Sequence, residues 1–244
     1  MAIYESGNHI NVENLDPLMK KIITIGPLYQ PVKKELLLIN IEKLYDTGKE
    51  KIQIVNDAFG TWKLVVDDRQ AIFKKVKPLV TRIIGNLYGM DVPASFIEDA
   101  KQLQAKINST RLTKPKPTDI DKDLNKDKTQ HSVSQQSFNS VLYNFGAFLK
   151  LLEKAPGYKT NIPDLTPEAL QDFYKELERS NTDINKASED LSDARIQRDL
   201  FLYTPETGSV DIALAVKNFI KGIFGATHPT YLDVKKIRFV NIRK

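Results

Sequence analysis

The sequence contains no cysteine. Disulfide bonds and thiolate metal sites are therefore excluded, whereas the redox compartment stays open, because a cysteine-free chain survives in either environment. Long apolar runs are also lacking: the longest, such as 36–39, span about four residues, and about twenty are needed to cross a bilayer. Residues 1–16 lack the basic and apolar regions of a secretory signal. We therefore expect a cytoplasmic protein without a transmembrane segment.

The sequence also lacks a large excess of one charge sign. The formal net charge is only +5, and Lys and Arg are interspersed with Asp and Glu. The 41% of hydrophobic and 27% of charged residues suit a soluble globular protein. The exception is the run 234–244, where basic and apolar residues alternate. Its cations either contact phosphate or an acidic membrane surface, or stay solvated while the apolar residues pack on the protein. They are Lys235, Lys236, Arg238, Arg243 and Lys244.

Residues 41–76 carry the strongest structural signal. Core-type residues recur there at alternating steps of three and four, which keeps one helix face toward a partner. The pattern predicts one amphipathic helix of about 36 residues, or about 54 Å, with Asn40 as N-cap and Pro78 beyond its end. We interpret its aromatic residues as core packing. The stripe consists of Ile41, Leu44 or Tyr45, Gly48, Ile52, Val55, Phe59, Trp62, Val66, Arg69, Phe73 and Val76.

Residues 166–203 repeat this pattern. Thr166 is the predicted N-cap, with Pro167 at the first helical position. The stripe there consists of Leu170, Phe173, Leu177, Ser180, Ile184, Ala187, Leu191, Ala194, Arg198 and Phe201. Shorter helices are predicted over 15–26, 77–89, 93–107, 137–155, 209–224 and 229–238. The fold class predicted is all-α, an elongated helical bundle with two long amphipathic helices.

The two halves of the chain align without a gap when one is shifted by 129 residues, which pairs Met19–Phe73 with Phe148–Leu202. The alignment matches the apolar positions and the break around Tyr29 and Tyr158, and it predicts an internal duplication. The predicted organisation is a helical unit over 1–108, a linker over 109–136 and a second helical unit over 137–244. Two separate bundles and one pseudo-symmetric bundle stay open. The single bundle is favoured because so long a helix needs neighbours along its length.

The linker 109–136 has few large apolar residues, many charges and two prolines, which is typical of a mobile segment. It contains alternating Asp and Asn residues over 119–127 that superficially resemble a calcium loop. Such a loop needs Gly at its sixth position and Glu at its twelfth, whereas Leu124 and Gln130 stand there. The segment is therefore interpreted as a solvated linker. No cofactor is expected for the chain.

Arg69 and Arg198 occupy equivalent positions on the two apolar stripes. A guanidinium there must reach the surface or find a carboxylate. We expect either a buried ion pair, with Asp68, Asp193 and Asp199 as flanking candidates and another helix as the preferred source, or an anion pocket between the halves. The histidines (His9, His131 and His228) are expected in irregular regions without a carboxylate at helical spacing, which argues against a metal site.

Several segments of the second half resemble a largely uncharacterised group of internally duplicated helical proteins that recur in Bacteroidota genomes. They are 134–138, 194–203, 210–213, 216–218 and 223–227. The resemblance implies the same two-unit helical build, and it implies no activity or functional residue.

Three functions follow as hypotheses. The first is a non-enzymatic interaction or scaffold protein with a protein partner, because the sequence has no catalytic motif. The second is a binder of nucleic acid or an anionic surface, through the basic C-terminal run and the linker. The third is a ligand-binding protein or enzyme with a pocket around Arg69 and Arg198. The sequence leaves the partner and the oligomeric state open.

Overall fold

The computed structural model describes residues 3–108, 137–155 and 158–241. In these ranges the chain forms α-helices and short 3-10 turns without a β-strand, which confirms the predicted all-α class. None of the described helices is long and apolar enough to span a bilayer. The helices are α1 (Ile3–Glu13), α2 (Leu15–Ile25), α3 (Leu38–Lys74), α4 (Val76–Leu87), α5 (Ala94–Asn108), α6 (Phe138–Glu153), α7 (Pro167–Tyr203), α8 (Ser209–Phe224) and α9 (Pro229–Lys236).

The two long helices, α3 and α7, have 37 residues each. Helix α7 begins as predicted, since the Thr166 hydroxyl accepts a hydrogen bond from the Ala169 N–H at 3.3 Å. Helix α3 begins before the predicted cap. Asn40 lies inside it, and its side chain donates to the Lys34 carbonyl at 2.7 Å. Pro78 lies within α4, where it cannot donate to the carbonyl four residues earlier, at the end of α3.

Helix α1 is absent from the prediction, which placed the first helix at 15–26. Two residues on its inner side, Asn8 and Asn11, are only 1% and 3% exposed. Because these buried positions are polar, α1 shows no apolar periodicity in the sequence. Asn14 separates α1 from α2.

The chain divides into two compact units, and both boundaries fall inside the long helices. Unit 1 comprises 1–62 and 187–244, and unit 2 comprises 63–186. Each unit therefore contains part of α3 and part of α7. This grouping differs from the predicted repeat units, 1–108 and 137–244, because each sequence half contributes to both compact units. The predicted linker, 109–136, lies outside the described residues.

Unit 2 has one continuous apolar core, in which α5 packs against α4 and α6. Phe145 and Phe148 of α6 are fully buried, and the Phe145 ring meets Phe173 edge-on with the ring centroids 5.8 Å apart. The buried core residues are Phe73, Val76, Val80, Ile83, Ile84, Leu87, Ala100, Ile107, Val141, Phe145, Phe148, Leu149, Leu152, Leu165, Leu170 and Leu177.

Unit 1 has its buried apolar residues in three clusters. The largest joins α2, the start of α3, α8 and Val234 of α9. A second contains Val12, Leu202, Tyr203 and Val210. In the third, Val55 of α3 packs against Leu191 and Ala194 of α7.

The predicted stripe of α3 is buried only in part. Gly48 permits a close approach in unit 1, because an added Cβ would lie 2.9 Å from Val12 Cγ1 and 3.3 Å from the Phe201 ring. Phe59, expected in the core, is 46% exposed and stacks on Trp62 with ring centroids 5.8 Å apart. This part of the aromatic interpretation is wrong, because Phe59 belongs to none of the apolar clusters formed by the described residues.

Candidate binding groove and basic C-terminal segment

A groove of 520 Å³ lies in unit 2, where α3 ends and α4 begins. Lys75 separates α3 from α4, and the last turn of α3 and the first two turns of α4 form one wall. The 3-10 turn Pro163–Leu165 and the start of α7 form the other wall. We name this site the α4 groove. Its lining residues are Lys74, Lys75, Pro78, Leu79, Arg82, Asp164, Ala169 and Phe173.

The α4 groove combines an apolar floor with a charged rim. Its four uncharged residues come from α4 and α7. Of the lining residues, three are cationic and one, Asp164, is acidic. Pockets of this size with an apolar lining and a few charged groups are typical binding sites, and the surplus of cations favours an anionic ligand.

Arg82 and Asp164 form an exposed ion pair across the groove. Both guanidinium nitrogens donate to the carboxylate, and the Arg82 Nη2–Asp164 Oδ1 distance is 3.1 Å. The hydrogen bond from Arg82 holds the pKa of the Asp164 carboxyl below its usual value. The pair joins α4 to the turn before α7, and it leaves Lys74 and Lys75 as the surplus charge of the rim.

The sequence did not reveal this groove because its walls are far apart in the chain. Arg82 and Asp164 are separated by 82 positions, and no apolar pattern marks either of them. The only local signal is the cluster of lysines at 74, 75 and 77, directly before Pro78.

Arg69 and Arg198 lie in different compact units. In unit 2, the half-buried Arg69 stacks its guanidinium on the Phe138 ring, 4.2 Å from the ring centroid, and burial lowers its pKa. In unit 1, Arg198 is 4% exposed and forms an ion pair with Asp199, with an Nη2–Oδ1 distance of 2.8 Å. Each arginine thus has its own structural contact within its unit.

The basic C-terminal segment belongs to unit 1, where it begins in the last turn of α9 and continues over the described residues 237–241 without helical structure. Ile237 and Phe239 pack on the unit 1 core, whereas three of the predicted cations are exposed: Lys235, Lys236 and Arg238. This packing of the apolar residues agrees with the second interpretation of the run, and contact of its cations with phosphate or a membrane stays a prediction. Arg243 and Lys244 lie outside the described residues.

Asparagine side chains hold the backbone of this segment. Asn11 donates to the Val240 carbonyl at 2.8 Å and accepts from the Val240 N–H at 2.9 Å, as a neighbouring β-strand would. Asn14 donates to the Arg238 carbonyl at 2.7 Å. Lys217 of α8 donates to the Ile237 carbonyl at 2.5 Å, and burial lowers the pKa of its ammonium group.

A buried hydrogen-bond chain continues from Asn11 into unit 1. Asn11 donates to the Tyr203 hydroxyl at 3.1 Å, and that hydroxyl donates to Asn8 Oδ1 at 2.6 Å. These contacts involve backbone and neutral side chains, so they fix the segment without using its cations.

Part of the positive charge near α9 is compensated. Asp233 lies 3.0 Å from Lys236 and 3.1 Å from Lys21 of α2. The hydrogen bonds from Lys236 and then Lys21 keep the pKa of the Asp233 carboxyl low. This carboxylate weakens the case for a concentrated anion-binding patch on α9.

Of the two histidines in the described ranges, His9 contradicts the expectation and His228 agrees with it. His9 lies in α1, and its Nε2 is 3.8 Å from a carboxylate oxygen of Glu13, so the expectation of an irregular region without a nearby carboxylate is wrong. His228 is the N-cap of α9, where its Nδ1 accepts from the Thr230 N–H at 3.2 Å. His131 and the alternating acidic run at 119–127 lie outside the described ranges. Within those ranges, no group of three or more His, Asp or Glu residues could hold a metal ion.

No family model, curated protein or solved structure matches this chain.

Proposed function

We propose that this chain is a non-enzymatic interaction protein, and that the α4 groove of unit 2 binds a segment of a partner protein in which acidic residues flank large apolar ones. The observation that supports the proposal is the combination of an apolar floor with a rim on which Lys74 and Lys75 exceed the charge of the Arg82–Asp164 pair. Apolar anchors buried on such a floor supply affinity, whereas rim charges select the sign of the partner and speed its association.

A peptide suits the α4 groove better than an enclosed small molecule. The side chains of Arg82 and Asp164 are 51% and 55% exposed, so the charged rim stays in contact with solvent. An apolar centre with a solvated polar rim is typical of protein interfaces. Because exposed charges are screened by salt, we expect binding to weaken as ionic strength rises.

Duplication of an ancestral helical unit is part of the proposal. Helices α3 and α7 are equally long and begin 129 residues apart. The Tyr29 hydroxyl donates to the Leu36 carbonyl and the Tyr158 hydroxyl donates to the Leu165 carbonyl, each at 2.7 Å and each seven residues away. We call this hydrogen bond the tyrosine lock. Its occurrence at positions 129 residues apart supports a common origin of the two halves. The resemblance to duplicated helical proteins of Bacteroidota stays a prediction.

The other two functions stay alternatives without a specific observation in their favour. Lys235, Lys236 and Arg238 are exposed, but Asp233 offsets part of their charge. Arg69 and Arg198 each contact a side chain of their own unit. The cytoplasmic location likewise stays a prediction.

The experiment that tests the α4 groove is a fluorescence anisotropy titration. The probe is a short fluorescein-labelled peptide in which Asp and Glu flank a central Leu-Phe pair, compared with the same peptide carrying Lys at the acidic positions. We expect saturable binding of the acidic peptide only. The variant K74E/K75E should weaken it by about tenfold or more, which corresponds to about 1.4 kcal/mol.

The matched control is K159E/K186E, which changes the net charge of unit 2 equally at two exposed lysines outside the groove. This variant should bind within about twofold of the unmodified chain, since distant exposed charges are largely screened. Equal binding of both peptides, or equal loss in both double variants, contradicts the proposed function.

A further inference from the structure

The turn between α2 and α3 in unit 1 displays large apolar side chains to solvent. Val32 is 99% exposed and Leu28 is 63% exposed. Ile23 in the last turn of α2 and Ile39 in the first turn of α3 are 60% and 55% exposed. Single exposed apolar residues are common on proteins, whereas several around one short turn indicate an interaction surface. We name residues 26–37 the α2–α3 turn.

This exposure is fixed by the fold of the turn. Leu36 is buried in the unit 1 core, and its carbonyl accepts the hydrogen bond from the Tyr29 hydroxyl at 2.7 Å. The Tyr29 ring in turn meets Phe219 of α8 edge-on, with centroids 5.4 Å apart. Asn40 donates to the Lys34 carbonyl. The turn is therefore anchored at both ends while Leu28 and Val32 remain outside.

The corresponding turn of unit 2 shows that the scaffold does not require apolar residues there. It carries the same lock, Tyr158 to Leu165. Counting from the two tyrosines, Val32 corresponds to Asn161, and Lys33 corresponds to Ile162, which is 38% exposed. The fully exposed valine is thus a property of the unit 1 turn and not of the lock.

Two exposed lysines, Lys33 and Lys34, follow Val32 directly, and Glu35 is the acidic residue in the turn. A protruding apolar tip beside basic residues suits an acidic lipid surface, because the apolar side chains enter the acyl boundary while the ammonium groups meet anionic headgroups. A fluid bilayer accepts a side chain as exposed as Val32 without needing a complementary pocket.

We propose that the α2–α3 turn is a membrane-contact site, in which Leu28 and Val32 insert into the surface of an anionic bilayer and Lys33 and Lys34 bind its headgroups. This site lies in unit 1 and is independent of the α4 groove. It adds a second binding activity, so the chain would present a partner segment at an acidic membrane surface.

The absence of cysteine allows a direct test on the full chain. The variant V32C is labelled with an NBD fluorophore at its new thiol and mixed with phosphatidylcholine vesicles with or without roughly 30% phosphatidylserine. We expect a blue shift and a severalfold rise in emission with the anionic vesicles only. The control places the same label at Asn161, where no change is expected. No change at position 32 with anionic vesicles at low salt overturns the proposal.

Vesicle flotation separates this site from other basic residues. V32D and K33E/K34E should each reduce the bound fraction by about tenfold, because each removes one of the two contributions. I162D and K235E/K236E are the matched controls and should bind like the unmodified chain. Circular dichroism reports whether each variant keeps its helices. Loss of flotation only in K235E/K236E contradicts the proposal and assigns lipid binding to the C-terminal segment.

Discussion

Both compact units consist of packed helices, but different contacts complete the packing of each unit. In unit 2, the helix that follows α4, α5, has 15 residues and joins a single apolar core through residues such as Ala100 and Ile107. In unit 1, α9 has 8 residues, and the chain then continues as an extended segment held by Asn11 and Asn14. One helical unit is thus completed by apolar packing, whereas the other is completed by side-chain hydrogen bonds to an extended backbone.

The end of α9 illustrates the physical basis of this difference. Lys217 donates to the carbonyls of Lys235 and Ile237, so it satisfies groups that the helix leaves free at its C-terminus. Ile237 has extended backbone angles, and the exposed and half-buried residues alternate from there, as in a β-strand with one covered face. The side chains of Asn11 in α1 and of Asn14, which follows α1, then replace the strand partner.

The largest effect should come from the apolar core of unit 2. Phe148→Ala removes a fully buried ring and should lower the free energy of unfolding by about 3–5 kcal/mol. Urea denaturation measures the loss, and hydrogen exchange resolved by peptide locates it in unit 2. Phe59→Ala, at an exposed ring of unit 1, is the control and should cost about 1 kcal/mol or less. Equal losses of unfolding free energy in the two variants would contradict the expected effect of burial.

An intermediate effect should come from the hydrogen bonds that hold the C-terminal segment in unit 1. Asn11→Leu leaves both backbone groups of Val240 and the Tyr203 hydroxyl without this partner, and should cost about 1–3 kcal/mol. Amide exchange over 237–241 should become faster. The control in unit 2 is Ser180→Ala, whose buried hydroxyl bonds only locally, to the Leu177 carbonyl. Unchanged exchange in the segment would show that Asn11 does not hold it.

A smaller and equal effect in both units is expected for the tyrosine locks. Tyr29→Phe and Tyr158→Phe each remove one hydrogen bond to a carbonyl and should each cost about 1 kcal/mol. The double variant should show additive losses by thermal or urea unfolding, because the two sites belong to separate units. A large cost for one variant and none for the other would argue against equivalent roles.

The last effect appears only at alkaline pH. Burial raises the pKa of Tyr29 from 10.0 to about 12, and it raises the pKa of Tyr158 in the same direction. A raised pKa in the folded state means that the stabilisation is complete below pH 10 and is lost as pH rises toward 12. The unfolding free energy of the unmodified chain should therefore fall over that window. In Y29F the free energy of unfolding should fall less steeply with pH. An identical slope would contradict the raised pKa of Tyr29.

The sequence predicts the helices well where apolar residues recur at helical spacing, and poorly where function or closure uses polar ones. The alternating steps of three and four define α3 and α7 within a few residues, and they place Gly48 at a close contact. Helix α1 escapes prediction because Asn8 and Asn11 occupy its inner positions. The α4 groove is not predicted from the sequence because Arg82 and Asp164 come into contact only after folding.

The sequence also does not predict which segments of the chain share a compact unit. Apolar stripes show that α3 and α7 need partners, but they do not specify which half of each helix joins which neighbours. Contacts such as Val55 with Ala194 settle this point in unit 1, where the two long helices run in opposite directions.

The most direct test of this account is the independent folding of fragment 63–186, which is a continuous segment and comprises unit 2. We predict that it unfolds cooperatively in urea and binds the acidic probe peptide as the full chain does, whereas 1–108 and 137–244, each lacking part of both units, show no cooperative transition. Cooperative folding of 1–108 or 137–244 alone, with 63–186 unfolded, would contradict it.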